Sequence, residues 1–438
     1  MSTPTLLVAA PASGSGKTVL TLGILRALRR RGLKVGSFKV GPDYIDPVFH
    51  ERASGRPCYN LDSWAMRFET LAGLLHRAGE GADVVVGEGV MGLFDGAPDG
   101  RGSTADLAAL FNIPVVLAIE AHRLGQSGAA IAEGFLRFRD DVEIVALVFN
   151  RVASEAHAAL LIEACDDRFS TPILGCLPRD DRLVLPERHL GLVQAREHPE
   201  LDRMMEAAAD LVERHLDLQR LLRLARVPSV TPLSDVVHPL PPLGPRIAVA
   251  CDEAFAFAYP SVLEGWRARG AELRFFSPLN DEPPPEAEAV FLPGGYPELH
   301  AARLASCQRF LAGLQEAAAR GFVYGECGGY MVLGQALIDR DGRAHRMAGL
   351  LPVTTSFAAP RLHLGYRQLE LAEACPLGGA GEVYFGHEFH FAREVERSGP
   401  PLFARVRDAR GRSLGPAGAR APGAAGSFIH LVDRAPRF

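Results

Sequence analysis

The sequence has no CxxC pair, and its seven cysteines (58, 165, 176, 251, 307, 327 and 375) are scattered along 438 residues. An odd, dispersed set fits neither a disulfide framework nor a zinc site and points to reduced thiols in the cytoplasm. Long apolar runs are also missing: no stretch approaches the roughly 20 residues that a membrane-spanning helix needs. The N-terminal apolar run has no basic flank and is broken by Pro11 and Gly14, so it reads as a buried strand rather than a signal peptide. Nor is there a large excess of one charge. The 47 Lys and Arg stand against 52 Asp and Glu, a formal net charge of −5, so neither nucleic acid nor a membrane surface is an expected partner.

What is present is the signature of α/β folding. Short apolar runs bounded by glycine or proline alternate with amphipathic segments of helical length, and the chain is long enough for two such domains. In the first half the expected strands are Thr5–Ala10, Val35–Val40, Asp83–Gly87, Pro114–Ile119, Ile144–Phe149 and Ile173–Leu177. Helical patterns lie between them at Val19–Arg31, Gln126–Phe138 and Glu155–Cys165, and a long amphipathic stretch from Leu201 to Arg223 closes this half. The proline-dense segment 227–245 reads as a linker between an ATP-binding domain, 1–226, and a second domain, 246–438. There the strands restart at Ile247–Ala250, Leu273–Phe276, Ala289–Leu292 and Phe322–Tyr324, with a mixed sheet edge beyond Met347.

Three motifs carry chemistry in the first half. Ala10-Pro-Ala-Ser-Gly-Ser-Gly-Lys-Thr follows a strand and precedes a helix, as a phosphate loop must. Backbone N–H groups of Ser13, Gly14, Ser15 and Gly16 would cradle phosphates, Lys17 would lie along them, and the Thr18 hydroxyl would ligate Mg²⁺. Pro11 occupies the position of the usual first glycine. Position 12 is alanine, which removes the extra lysine of partition-type ATPases. Lys39-Val-Gly-Pro-Asp43-Tyr44-Ile-Asp46-Pro and Gly87-Glu88-Gly-Val-Met-Gly-Leu-Phe-Asp95-Gly follow the next strands. Their acids would emerge at strand C-terminal ends, where carboxylates can hold Mg²⁺; Asp46 and Glu88 are the candidate metal ligands, and Asp43, Tyr44 and Asp95 further candidates beside them.

In the second half, Phe322-Val-Tyr-Gly-Glu-Cys327-Gly-Gly-Tyr-Met reads as strand, sharp turn and helix, the cysteine counterpart of a nucleophile elbow. The following helix N-terminus is expected to favour the Cys327 thiolate. The amide of Gly328 and the turn containing Gly295 and Tyr296 are candidate oxyanion donors. A cysteine nucleophile needs a base, for which His430 is favoured over His387 and His390. Two residues beyond His430 stands Val432, and Asp433 is one step out of register, so a Cys–His dyad is expected.

With these motifs, together with Leu185-Pro-Glu-Arg-His-Leu-Gly and Pro293-Gly-Gly-Tyr-Pro-Glu, nearly the whole chain resembles the cobyrinic acid and hydrogenobyrinic acid a,c-diamide synthases of cobalamin biosynthesis. The resemblance implies an α/β fold with an N-terminal P-loop domain like dethiobiotin synthetase and a C-terminal class I glutamine amidotransferase domain of flavodoxin-like type. It implies ATP, L-glutamine and a corrinoid as substrates, Mg²⁺ as cofactor, and acyl phosphates as intermediates. Cys327 and His430 would then be the glutaminase pair, and Glu187, Arg188 and His189 would contact the corrinoid. The same features leave open another tetrapyrrole acid, as in cobyric acid synthase or a nickel-sirohydrochlorin diamide synthase. They also leave open a P-loop switch protein with a non-catalytic glutaminase-like domain, and a homodimer as the assembly.

Overall fold

In the computed structural model, which describes residues 3–166, 168–183, 187–188, 191–192, 200–230 and 237–435, the chain divides into two units. One comprises Met1–Trp64 and Leu71–Asp235, the other Ala65–Thr70 and Val236–Phe438.

The first unit is built on a seven-stranded sheet. Its strands are β1 (Thr5–Ala9), β2 (Val35–Val40), β3 (Cys58–Leu61), β4 (Val84–Glu88), β5 (Val115–Glu120), β6 (Ile144–Val152) and β7 (Ile173–Pro178). They lie in the order β3-β2-β4-β1-β5-β6-β7, every neighbouring pair parallel. Runs such as Thr5-Leu-Leu-Val-Ala are buried throughout, as expected for strands covered on both faces. Because all strands run the same way, the segments after β1, β2 and β4 leave from one edge. Helix α1 (Lys17–Arg30) begins directly after the phosphate-loop sequence, and α2 (Asp46–Ser54) follows β2.

The strands anticipated from periodicity recur with small shifts at their ends, and β3 is an addition. It has four residues, one of them the polar Asn60, which is too short and too mixed to stand out as an apolar run. The expected single helix after Leu201 is instead two, Leu201–His215 and Leu218–Leu224. Leu216 is extended there and bridges to Gly175, while the Asp217 carboxylate accepts the Arg220 N–H at 2.8 Å, capping the second helix. Amphipathicity continues through the break, which is why periodicity did not reveal it.

The second unit contains a six-stranded sheet in the order Glu272–Phe276, Arg246–Ala250, Ala289–Leu292, Phe322–Glu326, Ala424–Ser427, Ala419–Ala421. All pairs are parallel except the last. A separate five-stranded antiparallel sheet includes His363–Leu371, Val383–His390 and His430–Arg434. Ala424–Ser427 therefore pairs beside the Phe322–Glu326 strand, and a few residues later the chain enters the other sheet. That change of sheet sets His430 next to the end of the strand that carries the elbow.

Asp433 lies in the same last strand and is fully buried. It accepts from the backbone N–H of Arg67 at 2.9 Å and from its guanidinium at 2.8 and 3.1 Å. Removing one partner of such a pair strands the other charge and costs about 3–5 kcal/mol. Asp433→Ala is thus expected to lower the urea midpoint of the second unit by a corresponding amount; an unchanged midpoint would show that the pair contributes nothing.

Candidate active sites

In the first unit, the loop after β1 turns on two glycines in the left-handed region, Gly14 and Gly16, each at φ 79°. The second has a further reason to be glycine, since a Cβ there would meet Asn150 Nδ2 at 2.3 Å. Asn150 Nδ2 donates to Ser15 O at 3.0 Å, and Arg151 Nη1 donates to Gly14 O at 3.1 Å, so the end of β6 holds the loop's shape. Ser15 Oγ donates to Ala12 O at 2.8 Å. Gly16, Asn150, Arg151, Pro178, Asp180 and Asp181 are among the residues lining a cavity of about 320 Å³ beside the loop. Lys17 Nζ donates to Met91 O at 2.7 Å, and burial lowers its pKa below the ordinary lysine value.

Glu88 is the hub of the acids nearby. Its buried carboxylate accepts from Thr18 Oγ1 at 2.7 Å and from Lys39 Nζ at 2.8 Å through Oε1, while Oε2 lies 2.7 Å from His50 Nε2. Lys39 also ion-pairs with Asp46. Burial opposes charge on Glu88, but Lys39 and His50 outweigh it and hold the carboxyl far below its usual range. Burial likewise works against His50, yet contacts with Cys58 and Glu88 push it up to about 10. At Asp46, burial and then the neighbouring Asp43 raise the pKa to about 7 despite Lys39.

Hard oxygens of Thr18, Asp46 and Glu88 thus lie close together, joined by the Thr18–Glu88 contact and by Lys39, which both carboxylates share. The donor set fits Mg²⁺. Asp43 caps the turn into α2, its Oδ1 accepting the N–H groups of Ile45 and Asp46 at 2.8 and 2.9 Å. Half-buried Tyr44 adjoins it. Asp95 is exposed and closes a turn by accepting the Gly92 N–H at 2.9 Å, although its charge reaches Lys17. Lys39, His50, Asn150 and Arg151 are additions to the residues picked out from sequence. Only Lys39 carried a visible signal, a charge inside the apolar strand Val35-Gly-Ser-Phe-Lys-Val. Glu187 and Arg188 lie on a two-residue strand with undescribed side chains, and His189 is outside the described residues.

In the second unit Cys327 sits between the strand Phe322–Glu326 and the helix Gly328–Leu333, at φ 47° and ψ −104°. Such a conformation costs a non-glycine residue about 1–3 kcal/mol and is characteristic of functional turns. Close packing dictates the glycines around it: a Cβ at Gly329 would meet Leu292 O at 2.0 Å, and one at Gly328 would lie 3.0 Å from the Gly295 nitrogen. The two candidate oxyanion amides, of Gly295 and Gly328, are therefore neighbours. Buried Tyr296 follows, packed edge-on against Phe257. A Cβ at Gly294 would stand 2.9 Å from His430 Nε2 and 3.2 Å from Cys327 Cβ, so nucleophile and base flank the same point.

The expected thiolate is not the resting state. Burial pushes the Cys327 thiol well above its usual value and Glu298 adds to this, while the Gly328 N–H works the other way. One short helix does not offset full desolvation. Burial, then His387 and His390, lowers His430 to about 3. Burial thus favours a thiol beside a neutral imidazole, a pair able to exchange one proton.

His387 is buried with Nδ1 unbonded and, through burial and Arg367, is lowered to about 3. His390 Nε2 lies 2.9 Å from Glu388 Oε1, and Glu388 takes Arg367 on its other oxygen at 2.6 Å. The His390 ring stacks on His363 and Phe428. These groups form a wall next to His430 rather than a second catalytic pair.

Family models match both halves of the chain. Residues 6–193 match a family model described as the CobQ/CobB/MinD/ParA nucleotide binding domain, and 246–438 match a CobB/CobQ-like glutamine amidotransferase domain. The chain is 54% identical over 430 residues to a hydrogenobyrinate a,c-diamide synthase of Brucella anthropi, covering 98% of each chain. It is 50% identical to the protein of that name from Rhizobium meliloti, over 98% of this chain and 99% of the other. A third, from Agrobacterium fabrum, is 48% identical over 99% of this chain and all of the other.

The buried histidines have a measurable consequence. With folded-state pKa values of about 3 at His387 and His430, the unfolded chain binds their protons first as pH falls. Their contribution to stability is complete above about pH 6.5 and declines below it. The melting temperature of the second unit should therefore drop on acidification from pH 7 to 4.5, and His387→Leu should flatten the slope. An equal slope in both proteins would refute this.

Proposed function

The chain belongs to the hydrogenobyrinate a,c-diamide synthase family, and from that premise we propose how its residues divide the work. The enzyme is a glutamine-using C–N ligase of cobalamin biosynthesis that amidates the a and c carboxylates of hydrogenobyrinic acid, or of its cobalt form cobyrinic acid, with ATP. The observation that carries the division is the pairing, in one chain, of a Gly-Lys-Thr loop facing buried acids with a strained cysteine beside an imidazole.

In the first unit the loop amides and the N-terminus of α1 bind the nucleotide phosphates, with the adjoining cavity taking the nucleoside. Thr18, Asp46 and Glu88 would hold Mg²⁺, which when bound supplies positive charge against the phosphates. Lys17 leaves Met91 O for the phosphate chain and neutralises charge as the γ-phosphoryl group passes to a corrinoid carboxylate. The products are an acyl phosphate and ADP. Lys39 holds Asp46 and Glu88 in place, and Asp43, Tyr44 and Asp95 border the space for the incoming carboxylate. Glu187, Arg188 and His189 are proposed corrinoid contacts, since a polyanionic macrocycle needs cationic partners.

In the second unit His430 Nε2 takes the Cys327 proton as sulfur attacks the glutamine amide carbon. The amides of Gly328, Gly295 and Tyr296 receive the oxyanion in this reading, a donor of this kind being worth about 3–4 kcal/mol. His430 returns the proton to the departing ammonia, and water then cleaves the thioester to glutamate. Ammonia displaces phosphate from the acyl phosphate and leaves the amide. Among the described residues no helix is long and apolar enough to cross a membrane. We place the enzyme in the cytoplasm, without nucleic-acid or membrane partners, on its scattered thiols and balanced charge, and leave a homodimer for sedimentation to test.

Cys327→Ser should cut glutamine-driven synthesis at least about a thousandfold while sparing synthesis from added ammonia. Lys17→Ala should abolish product with either nitrogen source. If both activities vanish together in folded Cys327→Ser, the division is wrong. Mass spectrometry after incubation with hydrogenobyrinic acid, cobyrinic acid and nickel-sirohydrochlorin identifies the acid that gains two amides; a gain only on the nickel compound would redirect the substrate assignment.

A further inference from the structure

We propose that Glu326, the residue immediately before the nucleophile, is the acid that orients His430 and completes a Cys327–His430–Glu326 triad. This rests on the reading of Cys327 and His430 as the glutaminase pair. The position where an acid would follow the histidine is Val432, and Asp433 is committed to Arg67. Glu326 instead approaches from the elbow strand. Its Oε1 accepts the Leu431 N–H at 3.1 Å and the Tyr324 hydroxyl at 3.1 Å, and its Oε2 faces His430 Nδ1 at 3.6 Å.

Three features make this more than proximity. The first is anchoring: the N–H that fixes the carboxylate belongs to the residue next to His430, so carboxylate and imidazole share one stretch of backbone. The second is direction. The Nε2 edge of His430 borders the point at Gly294 that also borders Cys327, while Nδ1 looks towards Glu326, so the ring lies between nucleophile and acid. The third is isolation. Glu326 is 5% exposed and His430 1%, so water does not compete for the contact. The separation is slightly beyond hydrogen-bond length, and catalytic contacts in ligand-free sites commonly tighten when substrate binds.

The chemistry needs such a group. For Nε2 to accept the thiol proton, the neutral imidazole must carry its hydrogen on Nδ1, and a carboxylate facing Nδ1 selects that tautomer. Once the proton has moved from sulfur to Nε2, the carboxylate faces an imidazolium. Burial raises the Glu326 carboxyl to about 8 even against its two hydrogen bonds, so the ionised form that selects this tautomer gains as pH rises towards 8, and a cation at His430 favours it further. Glu326 is a positioning residue, since it acts through His430 and does not touch glutamine.

Glu326→Gln keeps the shape and removes the charge, while its amide can offer Nδ1 a hydrogen and select the wrong tautomer. Glutamine-driven kcat should fall by about 100-fold or more, with the KM for glutamine within about threefold and ammonia-driven synthesis intact. Glu326→Asp, one methylene shorter, should restore part of kcat. A Gln variant with kcat within about threefold of the parent overturns the proposal. So does a parallel loss of ammonia-driven synthesis, which would make Glu326 a fold-holding residue only. Cys327→Ser separates the two levels: if it still uses glutamine, the cysteine–histidine pair fails, whatever Glu326 does.

Discussion

Parallel strands place their carboxyl ends on one edge of a sheet, and both candidate sites of this chain depend on that constraint. In the first unit the phosphate loop follows β1, Lys39 lies near the end of β2, and Glu88 ends β4, three strands adjacent in space though not in sequence. In the second, Leu292 and Glu326 end neighbouring parallel strands, which brings the Gly294–Tyr296 turn against the Cys327 elbow. Neither arrangement needs long-range design in each loop, because the sheet delivers the loop roots together.

The two sites handle burial in opposite ways. Around Glu88 charges are retained and answered by charges, since Lys39 and His50 compensate the desolvation that would otherwise protonate it. Around Cys327 charge is withheld: the thiol is raised and His430 lowered, both by burial. In the proposed mechanism a neutral pair makes the proton transfer between the two groups part of the chemical step.

Backbone strain and glycine are concentrated where those contacts demand them. Cys327 adopts a positive φ that a strand-to-helix turn imposes, and its neighbours lack side chains because Leu292 O and the Gly295 nitrogen occupy the space. Gly16 is subject to the same restriction from Asn150. In both turns close packing surrounds the candidate residue, backbone atoms beside Cys327 and the Asn150 side chain beside the phosphate loop.

From residue order alone came much of the local structure. Apolar runs and their spacing were enough for most of the parallel strands, Cys58–Leu61 and Ala424–Ser427 excepted, because burial on two faces demands continuous hydrophobicity. Gly-Lys-Thr after a strand and Gly-Glu-Cys-Gly-Gly before a helix were legible because turn geometry and chemistry sit in the same few residues. The tertiary structure alone decided which distant groups meet. Lys39 and His50 close on Glu88, Asn150 braces the phosphate loop, Asp433 turns to Arg67, and Glu326 looks at His430. It also decided that Cys327 rests as a thiol, against the expectation drawn from the helix behind it. The physical reason is common to all of these: pairing and desolvation depend on what lies across a strand or beneath a loop, and such neighbours leave no fixed spacing in the chain.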